Sequence, residues 1–289
     1  MSFIEAVNHP LFAQYDVHVS VKRDDQIHAV VSGNKVFKLR YHLEAFKTGG
    51  YEYIASFGGP FSNHLHALAY VGYEQGIKTL GIIRGEQVYP LNPTLQDCVN
   101  WGMELIPIPR VEYKRKHESE LLQRYLSQYE STYLVPEGGS GLLGVQGAED
   151  ILSGVSLDDY DYIVCACGTG TTVAGLISSI AQQKKTTYVY ALAVLKAKEW
   201  LQQEISEYLN GREQQHKYWQ VSDEYCFGGY GKTPKELLSF MEKESAHLPL
   251  EPIYTAKAWF GLQQLVQTKQ IANGSRVLFI HTGGLQGWR

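Results

Sequence analysis

Several things are scarce in this chain, and each scarcity excludes a class. Among 289 residues there are four cysteines, at 98, 165, 167 and 226. That is too few for a disulfide scaffold, and no CxxC pair suggests a zinc site or a thioredoxin-like centre. Neither sign of charge dominates: 26 basic and 30 acidic residues leave −4, with no charged tail. A polyanion such as nucleic acid therefore has no electrostatic footing. The N-terminal MSFIEAVNHP lacks a basic stretch followed by an apolar core, so no secretory signal is expected. Long apolar runs are missing too, with one test case. Residues 162–181 carry no charge and reach the length of a membrane span. CGTG and a Thr-Thr pair interrupt them midway, which reads as strand, glycine turn and helix start. No membrane partner is expected, and a cytoplasmic, reducing location fits.

What is present is a globular composition, 44% hydrophobic and 19% charged. Length suggests about two domains at roughly 150 residues each. Strands are predicted at YIASFG (53–58), KTLGIIRG (78–85), MELIPIPR (103–110) and TYLVPEGG (132–139). Later ones are DYIVCACG (161–168), YVYALAVL (188–195), WQVSDEYC (219–226) and VLFIHTGG (277–284). Helices alternate with them. One covers 63–75, capped by Ser62 and stopped by Gly76, and another opens with Asn92-Pro93 and closes at Gly102. Leucines at helical spacing predict a third over 118–129, and Thr233, Pro234 and Glu236 read as a capping box for one running through Met241. Alternating strands and helices imply an α/β fold with mostly parallel sheets.

Ligands of such sheets bind beyond the carboxyl ends of the strands. Four loops qualify. In SGNKVFKL (32–39), Lys35 and Lys38 share a helical face; a desolvated lysine amine can form a Schiff base, although most lysine pairs are simply solvated. In SFGGPFSNH (56–64), a helix N-terminus near Ser62 can hold a carboxylate, or Ser62 can be a plain cap. His64 and His66 lie two apart on that helix and point to different faces, so no metal site is expected. CGTGTT (167–172) gathers backbone donors and hydroxyls around one phosphate. It lacks the Gly-Lys-Ser/Thr of a nucleotide loop, and Val173 stands where the dinucleotide fingerprint needs its third glycine. In GSRVLFIHTGG (274–284), Thr282 ends a buried strand where a hydroxyl can meet a ligand ring nitrogen.

The ordered set GNK-x-x-KL, SFGG-x-x-SNH, LVPEGGS, GTGTT, EPIYT-x-KA and VLFIHTGG spans most of the chain. It resembles the fold type II pyridoxal-phosphate enzymes, and within them the 1-aminocyclopropane-1-carboxylate deaminase and D-cysteine desulfhydrase family. The resemblance implies a tryptophan synthase β-like fold: two three-layer α/β domains with the cofactor, pyridoxal 5'-phosphate, between them. Residues 37–140 would form a smaller domain inserted into a larger one made of 1–36 and 141–289. A homodimer acting on a small amino acid is implied as well. By the same resemblance Lys35 carries the cofactor and Asn63 lies beside the pyridoxal 3′-oxygen. Ser62, Asn63 and His64 receive the substrate carboxylate, while Gly168, Thr169, Gly170, Thr171 and Thr172 form the phosphate cup. Thr282 faces the pyridine nitrogen, and Tyr230 and Tyr254 flank the substrate as catalytic residues with Lys35 and Ser62.

Ring-opening deaminases resemble one another in a glutamate after the P-x-Y tyrosine and a leucine before the final Gly-Gly. Here Thr255 and Thr282 stand there, the desulfhydrase pattern. A neutral partner for the pyridine nitrogen suits β-elimination, so loss of sulfide with formation of pyruvate and ammonia is favoured over ring opening. A phosphate-binding α/β protein without catalysis, or a cofactor-binding relative that has lost turnover, are the competing readings. Phe37 and Arg40 depart from the family pattern.

Overall fold

A computed structural model describes residues 3–86, 89–210 and 217–288. Ten strands fall into two sheets among these residues. They are β1 (Ile4–Ala6), β2 (His18–Lys22), β3 (Tyr53–Gly58), β4 (Lys78–Arg84), β5 (Glu104–Ile108), β6 (Thr132–Val135), β7 (Tyr162–Cys167), β8 (Tyr188–Ala193), β9 (Trp219–Ser222) and β10 (Arg276–Ile280). The helices are α1 (Pro10–Gln14), α2 (Asn34–Thr48), α3 (Asn63–Gln75), α4 (Pro93–Asn100), α5 (Arg110–Tyr113), α6 (Ser119–Leu126), α7 (Leu142–Glu149), α8 (Thr171–Gln182), α9 (Lys198–Leu209), α10 (Lys235–Glu244) and α11 (Thr255–Gln267).

One sheet runs β1-β2-β10-β7-β8-β9 and the other β5-β4-β3-β6. Every pairing is parallel except β1 with β2. Parallel strands buried on both faces need apolar residues at successive positions. The sequence supplies them, as in Ile163, Val164 and Cys165 of β7, all fully buried. Helices α7, α8 and α9 cover one face of the six-stranded sheet through Val145, Ile177 and Ile205. Helices α1, α10 and α11 cover the other through Phe12, Leu237 and Trp259. The indole of Trp259 packs edge-on against Phe12 and Phe279 and donates to Glu244 Oε2 at 2.7 Å.

Sequence signals explain most element ends. Ser62 caps α3, its Oγ accepting from Leu65 N at 3.2 Å, and Gly76 leaves the helix in the left-handed region. Asn92 caps α4 with Pro93 in its first turn. Residues 162–181 are a strand, a turn and most of α8, and no described helix is long and apolar enough to cross a membrane.

Three expectations need correction. The capping box at Thr233 does not form: Pro234 occupies the cap of α10 and no side chain caps it. The strand expected over 219–226 stops at Ser222, because Asp223 turns to accept the backbone N–H of Lys198 at 3.2 Å. The helix over 118–129 is also shorter, ending at Leu126.

Two close contacts set the geometry of the site. A Cβ on Gly147 of α7 would lie 2.1 Å from Phe37 O of α2, and one on Gly175 of α8 would lie 2.4 Å from Ala148 Cβ. Only glycine lets these backbones approach so closely. The result is that α2, α7 and α8 lock together, fixing the start of α2 against the start of α8.

Candidate active site

The carboxyl ends of both sheets open onto one cavity of about 690 Å³. All four loops singled out in the sequence reach it, and Lys35, Ser62, Asn63, His64, Gly168, Thr169, Gly170, Thr172, Tyr230, Tyr254 and Thr282 line it. Thr171 does not. Its side chain is fully buried under the loop, 3.2 Å from Thr169 Oγ1.

Lys35 lies in the first turn of α2, half-buried, with Nζ 3.5 Å from Gly138 O. Burial lowers its pKa to about 8, so roughly a tenth of the amine is uncharged near pH 7, far more than for a solvated lysine. Lys38, one turn on, is buried, and desolvation and the neighbouring Lys35 push its pKa well down. The pair is thus not solvated. A chain of backbone bonds fixes this turn: Gly33 N donates to Asp24 O at 2.7 Å and Asn34 N to Thr282 O at 3.3 Å. Asp24 itself is fully buried and ion-paired with Lys22, which also lies 5.3 Å from the Phe37 ring centroid. Arg40 turns outward and pairs with Asp150.

Across the cavity, α8 begins at Gly170 with no side-chain cap. Its first-turn N–H groups and positive dipole end are thus available to an anion. Asn34 Nδ2 donates to Thr172 Oγ1 at 2.9 Å, tying the lysine turn to this cup. The ring of Tyr254 covers Gly168, whose added Cβ would stand 3.1 Å from Tyr254 Cε1. Tyr254 also donates to Tyr230 Oη at 3.3 Å. Burial and the neighbouring Tyr230 raise the Tyr254 pKa, keeping the phenol protonated.

The third wall is the start of α3. Asn63 Oδ1 accepts from Gln286 Nε2 at 3.1 Å. His64 is buried, with Nε2 2.8 Å from Ser56 Oγ, which donates to Val135 O at 2.8 Å. Because that hydroxyl proton is committed to Val135, His64 Nε2–H is the donor and Nδ1 is left as a bare acceptor. Nδ1 has no hydrogen-bond partner among the described residues. Burial first, then Lys35 and Lys38, hold His64 well below its ordinary pKa, so the ring is neutral. His66 faces away, stacked edge-on against Trp101 and 3.0 Å from Asp97.

Sequence reasoning missed four ionisable lining residues: Lys38 as a buried group, Arg84, Glu137 and Glu251. Glu251 is fully inside the wall, and its carboxylate accepts from Ile253 N, Tyr254 N and Thr255 N at 2.8, 2.7 and 2.6 Å. Desolvation raises its pKa while those bonds oppose the rise. Thr255 Oγ1 is likewise committed, accepting from Glu251 N at 2.9 Å. Arg84 could have been found from its place at the carboxyl end of a predicted strand. Glu137 and Glu251 fall within the LVPEGGS and EPIYT-x-KA segments, which mark their places, while no signal short of the fold marks Lys38 as buried.

Two parallel α/β sheets, a desolvated lysine between them, and an uncapped helix start facing it define a class of protein that holds a phosphorylated carbonyl compound. The chain belongs to the pyridoxal-phosphate dependent enzyme family, which matches residues 7–283. It is 33% identical over 294 residues to a Thermotoga maritima protein whose name, 1-aminocyclopropane-1-carboxylate deaminase, is given as provisional; 96% of this chain and 92% of that protein are covered. It is 27% identical to the mitochondrial bifunctional D-cysteine desulfhydrase/1-aminocyclopropane-1-carboxylate deaminase of Arabidopsis thaliana, covering 92% of this chain and 72% of that protein. A solved structure described as an ACC deaminase homologue superposes with a TM-score of 0.85 at 24% identity, over 99% of this chain and 90% of that one. That likeness shows the shared α/β fold.

The residues present fit the family's cofactor. The amine needed to hold an aldehyde is there with a lowered pKa. The uncapped start of α8 suits a phosphate, and the orphaned His64 Nδ1 marks a polar wall awaiting a donor.

Proposed function

We propose that this enzyme eliminates a β-substituent from a small amino acid in the manner of a D-cysteine desulfhydrase, releasing pyruvate, ammonia and sulfide. The observation that carries the reading is the meeting of Lys35, the α8 start and the α3 start on one cavity. The Arabidopsis relative is named for both elimination and ring opening. The wall residues favour elimination. Thr255 stands where ring-opening deaminases have a glutamate, and the carboxylate of the same segment, Glu251, is spent on three backbone N–H groups. Thr282 is then a neutral partner for the ring nitrogen.

When bound, pyridoxal phosphate supplies an electron sink that stabilises negative charge at the substrate Cα. The rest falls to the chain. Lys35 Nζ would hold the cofactor, and the same amine is the base placed to take the substrate's Cα proton. Gly168, Thr169, Gly170 and Thr172, with the backbone of Thr171, would hold the phosphate. Asn63 would hold the 3′-oxygen. Ser62 and the N–H groups of Asn63 and His64 receive the substrate carboxylate at the positive end of α3. The Tyr254–Tyr230 hydroxyl pair delivers a proton to the departing sulfur.

We place residues 37–140 as a smaller domain inserted into a larger one of 1–36 and 141–289; the four strands of the second sheet all fall within 53–135. A homodimer in the cytoplasm completes the proposal, and four unpaired, buried cysteines suit a reducing compartment. A panel of D- and L-amino acids scored for pyruvate and sulfide tests the activity. Sulfide from D-cysteine is expected; 2-oxobutanoate from the cyclopropane substrate alone would overturn it. Lys35→Ala is expected to lose turnover and the yellow, borohydride-bleached colour, and full activity in that variant would refute the lysine's role.

A further inference from the structure

Arg84, at the carboxyl end of β4, lines the outer part of the cavity on the side of the Gly59–Ser62 loop. Its Nη2 comes so close that a Cβ on Gly59 would lie 3.2 Å away. Its guanidinium sits 5.7 Å from the Tyr113 ring centroid. The one carboxylate on the same wall, Glu137, is already engaged: Tyr113 Oη donates to Oε1 at 2.7 Å and Lys116 Nζ lies 3.3 Å from Oε2. Arg84 itself has no ion-pair or hydrogen-bond partner among the described residues. The other carboxylate in the cavity, Glu251, is held by the start of α11.

A planar, permanently charged fork is thus held on an aromatic face, beside the loop that receives the substrate and with no counter-ion among the described residues. Arginine in such a setting pairs with carboxylates and other oxyanions. We propose that Arg84 is a specificity determinant for a second anionic group, carried on the substrate's side chain beyond the α-carboxylate. The preferred substrates are then amino acids whose β-leaving group ends in a carboxylate or similar oxyanion. This rests on the elimination reading above.

The test compares S-carboxymethylcysteine with S-carbamoylmethylcysteine, which differ in charge and hardly in shape. Both enantiomers are given to the cofactor-loaded enzyme, with β-chloroalanine as a reference substrate, and binding is measured in parallel by calorimetry. The acid is expected to bind and react about tenfold better than the amide, the scale of a charge-assisted hydrogen bond. That ratio should shrink as salt is raised, because Arg84 is exposed. Arg84→Gln should bring the ratio to about one and Arg84→Lys should keep part of it. Equal binding of acid and amide by the unaltered enzyme, or an unchanged ratio in Arg84→Gln, overturns the proposal. Loss of pyruvate from every substrate, β-chloroalanine included, with the charge-dependent binding intact, would instead refute the elimination reading and leave Arg84's role standing.

Discussion

Gly33 is the joint on which Lys35 is aimed, and replacing it by alanine tests that directly. Its φ of 69° and ψ of −152° belong to a region that side-chain-bearing residues scarcely enter, at a cost of about 1–3 kcal/mol. A Cβ there would also stand 1.9 Å from Thr282 O and 2.6 Å from Gly283 N, both backbone atoms that cannot rotate away. Relieving such overlap costs a further ~1–3 kcal/mol. The sum is roughly 4 kcal/mol, and at about 2–4 °C per kcal/mol for a chain approaching this size the melting temperature should fall by about 10 °C. The measurement is a thermal melt of the cofactor-free protein, so that ligand binding does not mask the loss. Gly50→Ala is the control, since Gly50 has φ of 66° but nothing within 4 Å of its added Cβ. There only the left-handed backbone matters, about 1 kcal/mol and a fall of about 2–4 °C. If Gly33→Ala melts no lower than Gly50→Ala, the contact between the Lys35 turn and the Thr282 strand end does not constrain the fold as argued.

Three further outcomes follow from the same geometry. The folded-state pKa of Lys35 lies near 8 against an ordinary 10.5, so between these values the unfolded chain binds the extra proton. Stability of the cofactor-free protein should therefore rise with pH across that window, and the rate of cofactor loading should climb with an apparent pKa near 8; a midpoint near 10.5 would refute the desolvation. Asn34→Ala removes the bond to Thr172 that ties the lysine turn to the phosphate cup, and should weaken cofactor affinity by about tenfold, read by absorbance titration. Tyr254→Phe keeps the ring over Gly168 but removes the hydroxyl that donates to Tyr230. Turnover of D-cysteine should fall by about a hundredfold with the cofactor spectrum unchanged, and undiminished turnover would take proton delivery away from this pair.

Most of what is local was legible in the residues alone. Strand–turn–helix order, the Ser62 and Asn92 caps and the small-residue loop at 168–172 are set by residues within a few positions of one another, and all are present. Where local signals compete, sequence reading slipped. Thr233 could have capped α10, yet Pro234 takes the position, and β9 ends where Asp223 finds a partner on α9. The state of the charged groups, by contrast, was settled by folding. Lys35 and Lys38 look like any exposed pair on a helix until the Gly138–Gly139 turn and α7 close over them. Glu251 is unremarkable until the start of α11 wraps its carboxylate. Arg84 and Glu137 sit 53 residues apart, and only the fold places both beside Tyr113, with Glu137 satisfied and Arg84 without an ion-pair partner among the described residues. The physical reason is that desolvation and pairing sum over neighbours supplied by remote parts of the chain, whereas caps and turns are settled within one turn of backbone. The few cysteines and near-balanced charge excluded whole classes at the outset; the chemistry of the cavity waited on which charges folding left without a partner.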